Sequence, residues 1–145
     1  MSNSAFKKAV ILVVVVFITA VIIYPKVTSN QGEIRKNLNL SPGERALENA
    51  LKNGKPTMIL FHSNKCVFCK QMLSIVAKVK PLYAKKANFV DISVEDKSEV
   101  RLISKFGIEK IPTSVFLDRS GKLIAKNIGV VKKEQLIKLL NSLEK

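Results

Sequence analysis

The chain has 145 residues, enough for one domain of ordinary size and an additional segment. It contains 25 basic and 11 acidic side chains, which gives a formal net charge of +14. The basic residues are scattered, with no arginine-rich cluster and no interleaved aromatic residues, so this composition does not predict a nucleic-acid-binding protein. Solubility explains the charge most simply, and attraction to an anionic membrane surface or to acidic partners is the alternative.

An uncharged apolar run begins at Ala9 and ends at Tyr24, with lysines before and after it. A transmembrane helix usually needs about 20 apolar residues, with a range from roughly 17 upward, so we expect residues 9–25 to form a single transmembrane signal-anchor. A cleaved signal peptide is the alternative, but the run is long and no Ala-x-Ala cleavage site follows it. The lysines before the run favour a cytoplasmic position for residues 1–8, which places the rest of the chain outside the cytoplasmic membrane.

Residues 26–40 are polar and lack an apolar period, so we expect a tether there, or a tether that ends in a short strand. A folded domain is predicted over residues 41–145. Ser41 as N-cap and Glu44 three residues later form a capping box, which predicts the start of the first helix. This helix is expected to end at Gly54. Its predicted apolar face consists of Ala46, Leu47, Ala50 and Leu51.

The remaining pattern predicts strands and helices in alternation. Strands are expected at residues 56–62, 88–94, 114–117 and 122–128, and helices from Val67 onward, over 95–106 and over 132–143. Pro81 is expected to kink or end the helix from Val67, with residues 82–84 continuing the same element. The predicted buried faces of the last two helices are Val100, Ile103 and Phe106, and Leu136, Leu139, Leu140 and Leu143.

Strands joined by helices are expected to pair in parallel, and the last two strands, joined by a turn at residues 118–121, to form an antiparallel hairpin. This order of elements predicts an α/β fold with a mixed central sheet of four or five strands and helices on both faces.

The two cysteines of the sequence, Cys66 and Cys69, stand at the junction of a predicted strand and a predicted helix. A bridge that encloses two residues constrains an unfolded chain very little, so we interpret the pair as redox-active and not as a structural disulfide. Cys66 falls at the helix N-terminus with Lys65 and Lys70 nearby, a setting that lowers thiol pKa values from about 8.5 to roughly 3.5–7.5. The Cys-x-x-Cys spacing alone also occurs at metal sites and at sites of haem attachment.

Three further features accompany the cysteine pair: Ile111-Pro112-Thr113 before a strand, the turn from Asp118 to Gly121, and Gly129 after the last strand. Together with the order of elements, they make residues 41–145 resemble the thioredoxin family. The resemblance implies a three-layer thioredoxin-like fold with no organic cofactor and no metal.

The resemblance also implies roles for individual residues. Cys66 would attack the substrate disulfide and Cys69 would resolve the mixed disulfide. Pro112, if cis, would lie against the two cysteines, and the backbone of Ile111 would pair with an extended substrate segment. An ordinary proline at the start of a strand is the alternative for Pro112.

The sequence departs from thioredoxins at the site itself. Val67-Phe68 replaces Gly-Pro between the cysteines, Lys65 replaces a tryptophan, and Leu60 occupies the place of a buried aspartate. We hypothesise that Asp91 supplies the missing acid–base group, the alternative being a solvated strand residue. His62 is interpreted as a packing residue at the end of a strand; it would otherwise tune the Cys66 thiol or join a metal site, which normally needs four ligands.

The sequence therefore predicts a membrane-anchored, thioredoxin-like thiol–disulfide oxidoreductase at the cell membrane, a single-pass protein with its catalytic domain outside the cytoplasm. It is expected to act as a reductant on protein disulfides, including those that keep apocytochrome thiols oxidised and those between wrongly paired cysteines. It is also expected to exchange electrons with another thiol protein, such as a membrane electron-transfer protein. An oxidase that inserts disulfides is one alternative. A metal-binding or interaction module with no enzymatic activity is the other.

Overall fold

The structure is a computed structural model that describes residues 10–15, 17–18 and 39–143. The two N-terminal ranges are helical, and their large apolar side chains are exposed. Within the described ranges, no helix is both long enough and apolar enough to span a bilayer. The anchor predicted at residues 9–25 lies partly outside these ranges and the predicted tether lies almost wholly outside them, so both stay predictions.

From Leu40 onward the chain forms one compact unit. In chain order its elements are α1 (Pro42–Lys52), β1 (Thr57–His62), α2 (Val67–Tyr83), β2 (Asn88–Ser93), a 3-10 turn (Lys97–Glu99), α3 (Val100–Lys105), β3 (Thr113–Leu117), β4 (Leu123–Ile128) and α4 (Lys133–Ser142). Among the described residues the strands form one four-stranded sheet in the order β2-β1-β3-β4.

The sheet is mixed, as predicted, but one pairing differs from the expectation. β1 and β2 are parallel and β3 and β4 form an antiparallel hairpin, whereas β3, which a helix joins to β2, runs antiparallel to β1. β3 begins at Thr113, which pairs with Phe61 near the end of β1. The connection from β2, which contains α3, therefore returns to the end of the sheet where β1 and β2 finish.

Two apolar clusters cover the two faces of the sheet, which gives the three layers that were predicted. On one face α2 and α4 pack over Met58, Leu60 and Phe116, and on the other α1 and α3 pack over Ile59, Phe61, Val90, Ile92, Val115 and Leu117. Successive residues of β1 belong to opposite clusters, as the alternation of side chains along a strand requires. β1 is thus a central strand buried on both sides.

The first helix begins and ends as its sequence signals predict. The Ser41 hydroxyl accepts the backbone N–H of Glu44 at 3.0 Å, and the Glu44 carboxylate accepts the N–H of Ser41 at 2.8 Å. Gly54 follows the helix with a φ of 66°, in the left-handed region. The predicted apolar face is wrong at Ala46, which is exposed; Gly43 is buried instead, against Ile92 and Glu99.

α2 continues through Pro81 and ends at Tyr83, so the expected continuation of this element past the proline is confirmed to within one residue. The next helix departs from its predicted limits. The helix predicted at 95–106 is shorter, because Asp96 caps a separate 3-10 turn by accepting the N–H of Ser98 at 2.9 Å. This start also rotates the buried face: Val100 is 58% exposed, whereas Leu102 is buried. In α4, Leu136 and Leu140 are buried and Leu139 is half-buried, and Leu143, which directly follows the helix, is buried as well.

Candidate active site

Cys66 is the N-cap of α2, and its backbone is extended. Its sulfur accepts the backbone N–H of Cys69 at 3.2 Å, so it takes the place of the oxygen that usually caps a helix. Both cysteines are free thiols, and Cys66 is half-buried. Cys66 is therefore accessible at the N-terminus of α2.

Cys69 lies one turn further along α2 and is fully buried. Burial raises the pKa of its thiol to about 11; the hydrogen bond with Cys66 adds to this effect, and the backbone N–H of Ser63 opposes it. At neutral pH Cys69 is therefore a neutral thiol. The two cysteines therefore differ in solvent exposure although they are one helical turn apart: Cys66 is half-buried and Cys69 is buried.

The turn between β1 and α2 is held by Ser63, which the sequence analysis did not single out. Its hydroxyl accepts the N–H of Lys65 at 3.0 Å and its carbonyl accepts the N–H of Cys66 at 3.3 Å. Its own N–H points at the sulfur of Cys69. A serine directly after a strand and before Asn64 is a turn signal, but a contact between its backbone and a sulfur leaves no trace in the sequence.

The positive charge expected beside Cys66 is partly offset. Lys65 Nζ lies 3.5 Å from the Glu95 carboxylate, and the lysine side chain is 90% exposed. Exposed ion pairs of this kind contribute about 0–1 kcal/mol. Glu95 follows β2 and was not singled out from the sequence; the parallel pairing of β1 and β2 brings it to the site.

The two residues between the cysteines are both apolar and exposed. Val67 is 76% and Phe68 66% exposed, although apolar residues in the first turn of a helix usually pack inward. They directly follow Cys66, which is half-buried. An apolar surface beside a reactive thiol is suited to contact a protein substrate.

The segment before β3 reaches the same end of the sheet as the cysteines. Thr113 pairs with Phe61, near the end of β1, and the peptide bond between Ile111 and Pro112 is cis, as expected. Pro112 is buried, Ile111 is half-buried, and the Pro112 carbonyl accepts the N–H of Gly129 at 2.7 Å. The structure thus brings the predicted substrate-binding segment to the end of β1, from which the chain turns into α2.

Asp91 pairs with Leu60 across β1 and β2, so both lie on the face of the sheet that α2 covers. Leu60 is buried in the core, whereas the side chain of Asp91 is exposed. The groups that act on the Cys69 thiol are Cys66 and Ser63, and Asp91 is not among them. The acid–base role of Asp91 stays a prediction.

His62 ends β1 and is half-buried. Its Nδ1 atom is buried and has no hydrogen-bond partner among the residues that the structure describes. Nor do three or more His, Cys, Asp or Glu side chains within those residues come together as a metal site.

The sequence of this chain is similar to those of known proteins. The family described as thioredoxin-like domain matches residues 43–144. The thioredoxin-like protein HCF164, chloroplastic, of Arabidopsis thaliana is 34% identical over 96 residues, which cover 66% of this chain and 37% of that protein. The thiol:disulfide interchange protein TxlA homolog of Synechocystis is 28% identical over 131 residues, 89% of this chain and 71% of that protein. This chain thus spans little more than a third of the chloroplast protein's length.

Solved structures share the fold. The thioredoxin protein Deadhead of Drosophila melanogaster superposes with a TM-score of 0.59 at 27% identity and covers 68% of this chain and 89% of that one. Thioredoxin O2 of Arabidopsis thaliana in the oxidised state gives a TM-score of 0.59 at 20% identity, over 70% of this chain and 85% of that one. The second likeness is one of fold alone.

Proposed function

The chain belongs to the thioredoxin-like domain family, and on this premise we propose that it is a protein disulfide oxidoreductase that uses Cys66 and Cys69. One observation carries the proposal: the half-buried Cys66 sulfur caps α2, 3.2 Å from the Cys69 nitrogen, while Cys69 itself is fully buried. This arrangement supplies one nucleophile that a substrate can reach and one that it cannot.

The exchange runs in two steps. The Cys66 thiolate attacks one sulfur of a substrate disulfide, forms a mixed disulfide and releases the other substrate sulfur as a thiolate, which takes a proton from water. Cys69 then loses its proton and attacks Cys66, and the second substrate sulfur leaves. The substrate disulfide gains two electrons, and the two cysteines become a disulfide.

The substrate segment is proposed to lie between the helix N-terminus and the loop before β3. Val67 and Phe68 offer exposed apolar side chains beside Cys66, and Ile111 and Pro112 approach the same end of β1 from the other side. An extended peptide in this position can pair with the backbone of Ile111. The substrates are therefore proteins with accessible disulfides.

We assign the chain the reducing direction, with electrons supplied by another thiol protein, such as a membrane electron-transfer protein. The name of the Synechocystis relative, a thiol:disulfide interchange protein, fits exchange with proteins in either direction. The reduction potential decides between reductant and oxidase: thioredoxin lies near −270 mV and the oxidant DsbA near −120 mV.

The apolar run at residues 9–25 is proposed to anchor the chain in the cell membrane, with residues 26–40 as tether and the domain on the extracytoplasmic side. The support is the length of the run and the position of the lysines before it. Such an anchor keeps the domain beside membrane-bound thiol partners.

The test is reduction of insulin disulfides by the full chain in the presence of dithiothreitol. Wild type is expected to accelerate precipitation of the insulin B chain, and Cys66→Ser is expected to abolish the acceleration. Cys69→Ser is expected to accumulate the mixed disulfide with substrate, visible on a non-reducing gel. Gln71→Ser, an exposed change in the same helix, serves as control. A wild-type chain without activity would support a binding module instead, whereas an active Cys66→Ser variant would contradict the role assigned to Cys66.

A further inference from the structure

Basic side chains that are far apart in the sequence meet at one end of the sheet. β1 and β2 begin side by side at Thr57 and Asn88, and β3 finishes opposite Thr57, so the turn from β3 to β4 lies at this end too. The Asn88 side chain donates to the Lys55 carbonyl at 3.3 Å. On the other side, a Cβ at Gly121 would lie 3.3 Å from the Leu51 side chain. The loop before β1 and the turn between β3 and β4 are therefore neighbours.

The last turn of α2 and the loop that follows it reach the same end. The N–H of Ala87 donates to the Tyr83 carbonyl at 2.8 Å, and β2 begins at the next residue. We call this surface the basic end, and its basic side chains, exposed except for the half-buried Lys55, are Lys55, Lys80, Lys85, Lys86, Arg119 and Lys122. They come from three separate segments, so the scattered charge of the sequence is gathered by the fold.

Few carboxylates offset this charge within the part of the chain that the structure describes. Glu48 lies 3.5 Å from the ammonium group of Lys52, a further basic residue beside this end. The Asp118 carboxylate accepts backbone N–H groups of its own turn. At the opposite end, by contrast, Glu95 and Asp96 directly follow β2 and stand among the lysines. The basic end thus presents an excess of positive charge.

Two exposed apolar side chains accompany the lysines. Leu82 lies in the last turn of α2 and is 62% exposed, and Leu123 begins β4, directly after Lys122, and is 49% exposed. Lysines attract anionic lipid, and apolar side chains among them can enter the boundary between headgroups and acyl chains. A surface that combines the two fits the interface of an anionic bilayer better than it fits a purely polar partner.

The chain itself brings a lipid surface within reach of the basic end. Residues 26–40 separate the apolar run from the folded domain, and 15 extended residues span at most about 50 Å. Salt screens exposed charges beyond about 8 Å at physiological ionic strength, so this contact is weak by itself. A tether makes it effectively intramolecular and raises its occupancy, whereas a domain without the tether dissociates on dilution.

We propose that the basic end docks on an anionic lipid surface, with its ammonium groups against lipid phosphates and Leu82 and Leu123 at headgroup level. Docking is separate from the proposed anchor, which holds the chain in any bilayer, because docking requires anionic lipid. Cys66 follows the other end of β1, so the docked domain presents this thiol away from the bilayer. That consequence for the reaction rests on the proposed function; the contact with lipid does not.

The test compares lysine labelling at the two ends of the domain. The full chain is reconstituted in vesicles of phosphatidylcholine, with or without phosphatidylglycerol, and treated with a membrane-impermeable N-hydroxysuccinimide ester; mass spectrometry measures each site. Anionic vesicles are expected to slow the labelling of Lys55, Lys85 and Lys86 about threefold, and about 1 M salt to restore it. Lys70 and Lys97, exposed at the opposite end, are expected to react equally in both kinds of vesicle. Equal labelling of the basic end in both would overturn the proposal.

Two charge-matched variants test the position of the contact. Lys85→Glu with Lys122→Glu is expected to remove the slower labelling of Lys55 in anionic vesicles. Lys97→Glu with Lys133→Glu changes the net charge equally at exposed sites outside the basic end and is expected to preserve it. Loss of the effect in both variants would show that overall charge attracts the chain, and persistence in the first would exclude the basic end; either result contradicts the proposal.

An acidic polypeptide is the other ligand of matching charge. If soluble polyglutamate slows labelling of the basic end in neutral vesicles while anionic lipid does not, this surface binds acidic proteins and the proposal fails. A chain that does not sediment with neutral vesicles contradicts the anchor, and labelling in anionic vesicles still tests docking. Insulin reduction by both variants is expected to equal that of wild type, so failure of docking is distinguishable from failure of the proposed function.

Discussion

The difference in exposure between the two thiols predicts selective alkylation. In the reduced full chain, iodoacetamide is expected to modify Cys66 at neutral pH and to leave Cys69 unmodified. The raised pKa of Cys69, about 11, sets the direction of its pH dependence: below this value its thiolate fraction falls tenfold per pH unit. Modification of Cys69 is therefore expected only as the pH approaches 11. Tandem mass spectrometry of the peptide that contains both cysteines measures each site.

The control for this experiment is the same chain in concentrated urea, where burial is lost and both cysteines are expected to react. Equal labelling of Cys66 and Cys69 at neutral pH without urea would contradict the buried position of Cys69.

Sequence reasoning places the reactive residues together but leaves out the groups that support them. Cys66, Cys69 and Pro112 are identifiable because their residue types and spacing carry the chemistry. Ser63 acts largely through its backbone, and Glu95 arrives through the pairing of strands that are distant in sequence. Contacts of these two kinds depend on the folded arrangement, which residue type alone does not encode.

The contact of α1 with β2 and with the 3-10 turn predicts the effect of a methyl group added at Gly43. A Cβ at Gly43 would meet Ile92 Cδ1 and would lie 2.5 Å from Glu99 Oε2. Glu99 cannot move aside easily, because it is buried and accepts the Ser41 hydroxyl and the Gly43 N–H, both at 2.7 Å. Gly43→Ala is therefore expected to destabilise the fold by about 1–3 kcal/mol.

Helix propensity alone predicts the opposite sign, since alanine is favoured over glycine inside a helix by about 1 kcal/mol. Urea unfolding of the two proteins measures the difference. Asn49→Ala, an exposed change in the same helix, is the matched control and is expected to be neutral or slightly stabilising. If Gly43→Ala were as stable as wild type, the packing of α1 on Glu99 would be looser than the structure indicates.

The elements that were predicted best are those with local signals. The capping box at Ser41 and the stop at Gly54 fix α1 from short-range chemistry. The direction of β3 depends on the path of the whole connection from β2, which has no local signal. In α3 the apolar pattern predicted that Val100 is buried, whereas the structure buries Leu102. Apolar periodicity identifies a helix over a long segment, but six residues are too few to determine which face of the helix is buried.

The fold and family of the whole molecule follow from the order of its elements combined with the cysteine pair. The thioredoxin family predicted from these features is confirmed by the match over residues 43–144. The four-stranded mixed sheet with helices on both faces is confirmed as well. The proposed membrane anchor lies in the residues before this domain, and its support is the sequence alone.

Membrane attachment is tested by fractionating bacterial cells that express the full chain or a fragment that begins at Leu40, where the compact unit starts. The full chain is expected in the membrane fraction and the fragment in the soluble one. A wash in 1 M salt separates an anchor from electrostatic adsorption of this basic chain, because ions screen the charges beyond about 3 Å at that concentration. The double substitution Val14→Lys and Val15→Lys is expected to release the chain from the membrane. The reason is that each charged side chain at the centre of a transmembrane helix costs about 2.5–3.5 kcal/mol of insertion free energy. If salt alone releases wild type, the basic surface holds it and residues 9–25 do not span the membrane.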